Sequence, residues 1–252
     1  MCKTIAIANQ KGGICKTTST FNISVALATM GKQVLMIDFD PQASLTISAG
    51  LEPLNLEHTV CDILKKSSES VTNCIYKFNN ISNLSIIPSI IDLAALEMGM
   101  QTRTAREKIL ARALDSIKHS YDYIFIDCPP QLSILTVNAL AACDYVVIPC
   151  KTDYLSYRGL EQLENTISDL KRLVNENVEI LGVVATLYEK NVKDHNNILN
   201  LLHKKYSVIG VIKKTVEAVK GIYEGIPVVL RNPKADISVE YVKIANEILI
   251  RG

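Results

Sequence analysis

No charge excess, no paired-cysteine motif, no long apolar run and no internal repeat marks this sequence. Across 252 residues, 27 lysines and arginines meet 26 acids for a formal net charge of +1. The total balance therefore advertises no polyanionic or polycationic partner, and any basic patch has to be local. Seven cysteines stand at irregular spacing without a CxxC pair, which argues against a disulfide framework or zinc site and for a reducing cytoplasm. No apolar run approaches the roughly 18 to 20 residues of a membrane-spanning helix. The chain opens on a strand-like run, Thr4-Ile5-Ala6-Ile7-Ala8, instead of the basic start and cleavage site of a signal peptide. What is present, 48% hydrophobic and 21% charged residues, excludes a disordered or collagen-like chain. The length suits one large domain spanning residues 1–252.

Short β-rich apolar runs alternate with segments of helical period, the pattern of βαβ units. Strands are predicted near 3–8, 33–38, 84–88, 122–127, 144–149, 179–185 and 207–211. Helices are predicted near 16–30, 57–66, 103–119, 132–142, 156–174, 193–205, 214–223 and 236–250. The fold class is thus α/β, a single doubly wound, mostly parallel sheet with helices on both faces. The polar stretch from Lys65 to Asn83 reads as a surface excursion, because the strand at Leu84 resumes the sheet.

Directly after the first strand comes Asn9-Gln10-Lys11-Gly12-Gly13-Ile14-Cys15-Lys16-Thr17-Thr18, followed by a helix. Glycines let the backbone curl so that several N–H groups converge on one anion, the helix N-terminus adds partial positive charge, and Lys16 supplies a full one. The Thr17 hydroxyl is then placed to ligate a magnesium ion that bridges phosphates. The second strand delivers Asp38 and Asp40, followed by Pro41-Gln42, to the edge where open α/β sheets bind ligands. A further apolar run, Tyr123-Ile124-Phe125-Ile126, ends in Asp127-Cys128-Pro129-Pro130.

Residues Lys11 to Thr18 resemble the deviant Walker A loop, KGGxGK[ST][ST], of the ParA/MinD family of dimeric P-loop ATPases. Gln10 stands where the ordinary loop has its first glycine. Asp38 to Gln42 is similar to the family's DxDPQ motif, and the segment ending at Pro130 to its Walker B motif. The resemblance implies ATP and Mg²⁺ as cofactors, held by Lys11, Gly12, Gly13, Ile14, Cys15, Lys16, Thr17 and Thr18. It implies catalytic roles for Lys11, which reaches across a dimer interface, for Lys16 at the phosphates, and for Asp40, which helps position the attacking water. Thr17, and Asp127 through a water, would hold the metal. One position departs from the pattern, since Cys15 replaces the glycine before Lys16. A side chain there strains a conformation that glycine adopts freely. A natural variant with adjusted geometry, a substitution introduced to trap one state and a binding protein that hydrolyses poorly are all open readings.

The ParA branch is favoured over MinD-like relatives, whose basic amphipathic tail binds membranes. The segment Val242 to Gly252 is of mixed charge, with its apolar positions reading as core-facing. Cys61, Cys74, Cys128 and Cys143 read as buried small hydrophobes. ParA proteins bind DNA non-specifically as ATP dimers, and the matching candidates are Lys190, Lys193, Lys213, Lys214 and Lys220, with Lys204, Lys205 and Arg231 nearby. Glu217 stands where an arginine is common in the family and is expected to weaken phosphate binding locally. The resemblance implies a DNA partition ATPase of the shorter Soj-like form. It further implies a homodimer with ATP on double-stranded DNA, in the cytoplasm at the nucleoid, with a ParB-like centromere-binding protein as partner and no membrane. The alternatives are a nucleotide-gated positioning switch for another cargo, with little turnover because of Cys15, and a MinD-like membrane-patterning ATPase.

Overall fold

The computed structural model describes residues 1–65, 71–78, 81–217 and 225–251. Eight strands form one sheet in the order β3-β4-β2-β5-β1-β6-β7-β8. They are β1 (Lys3–Ile7), β2 (Val34–Asp38), β3 (Tyr76–Lys77), β4 (Leu84–Ile87), β5 (Tyr123–Asp127), β6 (Tyr145–Lys151), β7 (Glu179–Tyr188) and β8 (Val208–Lys213). Every pairing is parallel except β3 with β4. All seven strands expected from the sequence are present. β3 was not expected, being two residues long inside the polar stretch between Lys65 and Asn83.

The strands are apolar on both sides because both faces are covered. In β1, Ile5 and Ile7 pack with Phe21, Ile23 and Leu27 of α1 (Lys16–Thr29) and with Tyr241 and Ile244 of the last helix. Ala6 of the same strand turns to the opposite core, with Ile124, Ile126, Leu135 and Leu160. The second face carries α3 (Val60–Lys65), α5 (Ile109–Asp115), α6 (Ile134–Ala142), α7 (Tyr154–Leu173) and α8 (Lys193–Lys205). Three more helices are α2 (Ser44–Ser48), α4 (Leu93–Met100) and α9 (Val228–Arg231), and α10 (Asp236–Arg251) closes the first face.

The helix expected near 103–119 is broken. A short 3-10 turn at Arg106–Lys108 precedes α5, and Asn138 of α6 caps α5 by accepting the N–H groups of Ile109 and Leu110 at 3.1 and 3.2 Å. A cap supplied from another helix leaves no local sequence signal. Most of the helix expected near 214–223 lies outside the described residues.

Candidate functional site

β1, β2 and β5 end side by side, and the segments that follow them enclose a cavity of about 460 Å³. That volume is within the range of small-molecule sites, about 300–1,000 Å³. Its lining consists of Gly12 to Thr18, Asp40, Ser44, Ile47, Ser48 and Pro130. A second cavity of about 530 Å³ opens between the starts of α7 and α8, but it lacks a glycine loop in front of a helix.

Leaving β1, the chain is pinned by Asn9, whose Nδ2 donates to the Pro149 carbonyl at 2.7 Å and whose Oδ1 accepts Lys11 N–H at 3.1 Å. Gly13 at φ 69° and Cys15 at φ 68° are both left-handed. Alternating hands along a backbone turns successive N–H groups towards one point. α1 then starts at Lys16 with no side-chain cap and no acid in its first turn, so its first N–H donors are left for another acceptor. Burial pushes the Cys15 thiol up to about 11, which keeps it protonated near neutral pH and argues against a redox switch there.

Lys16 is nearly buried, and its Nζ donates to the Lys11 carbonyl at 3.0 Å, across the curl of the loop. Desolvation lowers its pKa, opposed by Asp127, Cys128 and Asp40. The Thr17 hydroxyl donates to Asp127 Oδ2 at 2.7 Å, and the Thr20 hydroxyl to Oδ1 at 3.2 Å. Hydroxyl and carboxylate oxygens side by side suit a small hard cation that takes its remaining ligands from phosphate and water. Among the described residues, no group of three or more His, Cys, Asp or Glu could hold a metal alone.

Asp38 and Asp127 are register partners on neighbouring strands. Both carboxyls are raised, first by burial; the nearby Asp38 charge adds to Asp127 and the Asp40 charge to Asp38. Asp38 is turned away from the cavity by Thr46, whose N–H and hydroxyl donate to Oδ2 at 2.8 and 2.7 Å, while Oδ1 accepts Asp40 N–H at 3.2 Å. Thr46 went unnoticed in the sequence, yet it fixes the turn that carries Asp40 into the cavity. Lys11 is not loose either: Nζ reaches Asp153 Oδ1 at 3.0 Å, Oδ2 at 3.3 Å and Ser156 Oγ at 3.0 Å within its own chain. Asp153 and Ser156 stand more than 140 positions away, so only the helix-start signal at Asp153 was available in the sequence.

A family model described as AAA domain matches residues 2–180. Over 255 residues the chain is 37% identical to the sporulation initiation inhibitor protein Soj of Bacillus subtilis (strain 168), with 100% of each covered. It is 33% identical over 254 residues to the chromosome partitioning protein ParA of Caulobacter vibrioides (strain NA1000 / CB15N), covering 99% of this chain and 94% of that one. The chain belongs to the ParA/Soj-like P-loop ATPases. Among solved structures, cobyrinic acid a,c-diamide synthase from Mycobacterium smegmatis with bound ADP and magnesium superposes with a TM-score of 0.84 at 31% identity, covering 99% of this chain and 94% of that one. That name denotes another reaction, so the likeness is to the ATPase scaffold.

Residues singled out by the ParA resemblance outside the cavity divide into two groups. Lys190 and Lys193 are exposed, and neither forms an ion pair with another described residue. Lys213 pairs with Asp236 at 2.8 Å and Lys214 with Glu189 at 3.2 Å, while Lys205 is taken up by Glu161 and Glu164. Lys220 lies outside the described residues. Glu217, the acid expected to weaken phosphate binding locally, meets Arg231 at 2.8 Å and is thus opposed by a cation. Cys61, Cys74, Cys128 and Cys143 are buried, as expected of packing residues.

Proposed function

We propose that residues 1–252 act as one nucleotide-switched partition ATPase. Mg-ATP binds at Gly12 to Thr18, with Lys16 on the phosphates and the metal held by Thr17 and, through water, Asp127. Asp40 orients the attacking water, and the phosphoryl group passes to it while the protein contributes position and charge. The observation that carries this reading is the Thr17 hydroxyl 2.7 Å from Asp127 at the open start of α1, because one contact joins the glycine loop to the end of β5.

ATP binding brings two copies face to face, and Lys11 exchanges Asp153 for the phosphates of the second copy. Exposed apolar side chains support such a meeting: Ile47, Ile91, Leu132, Tyr154, Leu155 and Val192 all follow strand ends on the nucleotide edge, an arrangement typical of interaction surfaces. The dimer binds double-stranded DNA non-specifically in the cytoplasm, at the nucleoid, through Lys190 and Lys193 with the paired Lys213 and Lys214 in support. A ParB-like protein with a basic arm stimulates hydrolysis and releases it. DNA is favoured over a lipid surface because Ile237, Tyr241, Ile244, Ala245 and Ile248 of α10 are buried in the core. No helix among the described residues is long and apolar enough to cross a membrane.

Size-exclusion chromatography with light scattering tests the reading. Monomer without nucleotide, dimer with Mg-ATP and dimer on DNA are expected; a chain that stays monomeric at saturating Mg-ATP rejects it. The left-handed Cys15 favours one second reading, a positioning switch with little turnover. Under that reading Cys15→Gly raises stimulated ATPase activity several-fold, since glycine carries no penalty at positive φ.

A further inference from the structure

β7 does not run straight to its end. Its pairing with β8 shifts register between Ala185 and Tyr188, and Leu187 sits at φ 53°, a left-handed value that a bulky residue keeps only where its surroundings hold it. Irregularities of this kind re-aim a side chain beside a site. The neighbouring side chain is that of Thr186, which is fully buried. Its hydroxyl donates to the Ile14 carbonyl at 3.2 Å. Thr186 is the register partner of Lys151 at the end of β6, and its own carbonyl accepts the N–H of the next residue, Thr152, at 3.1 Å, so the threonine is anchored there while it grips the loop.

The Ile14 carbonyl belongs to the peptide that joins Ile14 to Cys15. Holding that oxygen opposes rotation of the peptide plane, the motion that would change ψ of Ile14 and φ of Cys15 together. Cys15 occupies the position whose φ of 68° suits glycine, and a side chain there pulls the backbone towards the right-handed region. Downstream, the first helical hydrogen bond, Ser19 N–H to Cys15 carbonyl at 2.9 Å, holds one flank. Thr186 holds the other.

We propose that Thr186 is a positioning residue of the phosphate loop, holding Cys15 in the conformation that glycine adopts unaided. The proposal rests on residues 11–18 being that loop. It makes the importance of Thr186 conditional on what stands at position 15.

A double-mutant cycle with Thr186→Val, Cys15→Gly and the pair, titrated with a fluorescent ADP analogue and Mg²⁺, tests it; ADP is used so that dimerisation does not enter. Thr186→Val, which keeps the shape and removes the donor, weakens binding about tenfold beside Cys15 and about twofold or less beside glycine, because a buried hydrogen bond matters most where it opposes strain. Thr186→Ser restores the hydroxyl and the affinity. Equal losses in both backgrounds overturn the proposal, as does unchanged affinity with a lowered melting temperature, the mark of a merely structural threonine. If Thr186→Val does not fold, Thr186→Ala against Thr186→Ser gives the same comparison. Lys16→Ala in the same titration addresses the underlying reading: when it abolishes binding and the cycle is additive, the positioning role alone falls.

Discussion

Two helices start at the same edge of the sheet in opposite ways. α7 opens on Asp153, whose carboxylate accepts Ser156 N–H at 2.8 Å and holds Lys11 and Lys151 as well. α1 opens on Cys15, with no cap and no acid in the first turn. A helix start left open over a 14-residue helix has donors to spare, and here a glycine loop and a buried lysine surround them. α8 shows why the missing cap is not enough by itself: it too lacks one, but Asp194 sits in its first turn, and no glycine loop precedes it. An open helix start signals an anion site only in the company of a loop that curls and a cation that cannot leave.

Breaking the α1 side of this comparison has the largest expected effect. Lys16→Ala removes the charge-assisted bond to phosphate and lowers ATP affinity about 100-fold; a fluorescent-nucleotide titration with an unchanged dissociation constant would exclude this loop as the nucleotide site. The start of α8 comes next. Lys190→Glu with Lys193→Glu weakens ATP-dependent DNA binding at least tenfold and flattens its salt dependence by roughly one log–log unit for each phosphate that is no longer neutralised. The same change at Lys213 and Lys214 does less, since their charge is already shared with Asp236 and Glu189. Filter binding over a salt series ranks the two pairs, and a larger effect at 213 and 214 reverses the assignment.

A smaller effect is expected where α7 is made to resemble α1. Asp153→Ala removes a cap and costs about 1 kcal/mol in urea unfolding, whereas Asp153→Asn keeps capping ability and costs less. Burial alone raises the Asp153 carboxyl, but hydrogen bonds from Ser156, Lys11 and Lys151 outweigh it and hold the group below the usual carboxylate range. A depressed carboxyl contributes stability above its unfolded pKa, about 4, and loses that contribution as pH falls further. The gap between wild type and Asp153→Asn therefore narrows below about pH 4; a gap that widens there refutes the assignment. Smallest is the labelling of Cys15. With its thiol pushed up to about 11, alkylation measured by peptide mass spectrometry is slow at neutral pH, speeds up with each step towards about pH 10, and is slowed by bound nucleotide. Fast labelling at about pH 7 contradicts the burial.

The seven expected strands announced themselves as short apolar runs, and β2, β4 and β5 also end at or just before an Asp or Pro. The glycine loop, Asp40 and Asp127 were legible for the same reason, being local patterns at strand ends. What escaped notice is held across distance. Thr46 acts on Asp38 through a turn, Asn138 caps a helix in front of its own, and Asp153 meets Lys11 from the far side of the chain. None of these leaves periodicity or spacing to read. The basic surface is legible only in part: the lysines are plain in the sequence, but which of them is neutralised depends on Asp236 and Glu189, whose side-chain positions only the fold reveals.

Two glycines outside the phosphate loop are constrained by space, where Gly13 in the loop is constrained by backbone torsion. A Cβ at Gly210 of β8 would fall on the Ile244 side chain of α10, and one at Gly182 of β7 would lie 2.8 Å from the Ser207 carbonyl. The last helix therefore lies directly on bare backbone at the sheet's edge strand. In a library that varies one position at a time, 210 would tolerate almost nothing although it touches no ligand, and ranking sites by intolerance would mistake a docking tolerance of a single methyl group for a second active centre.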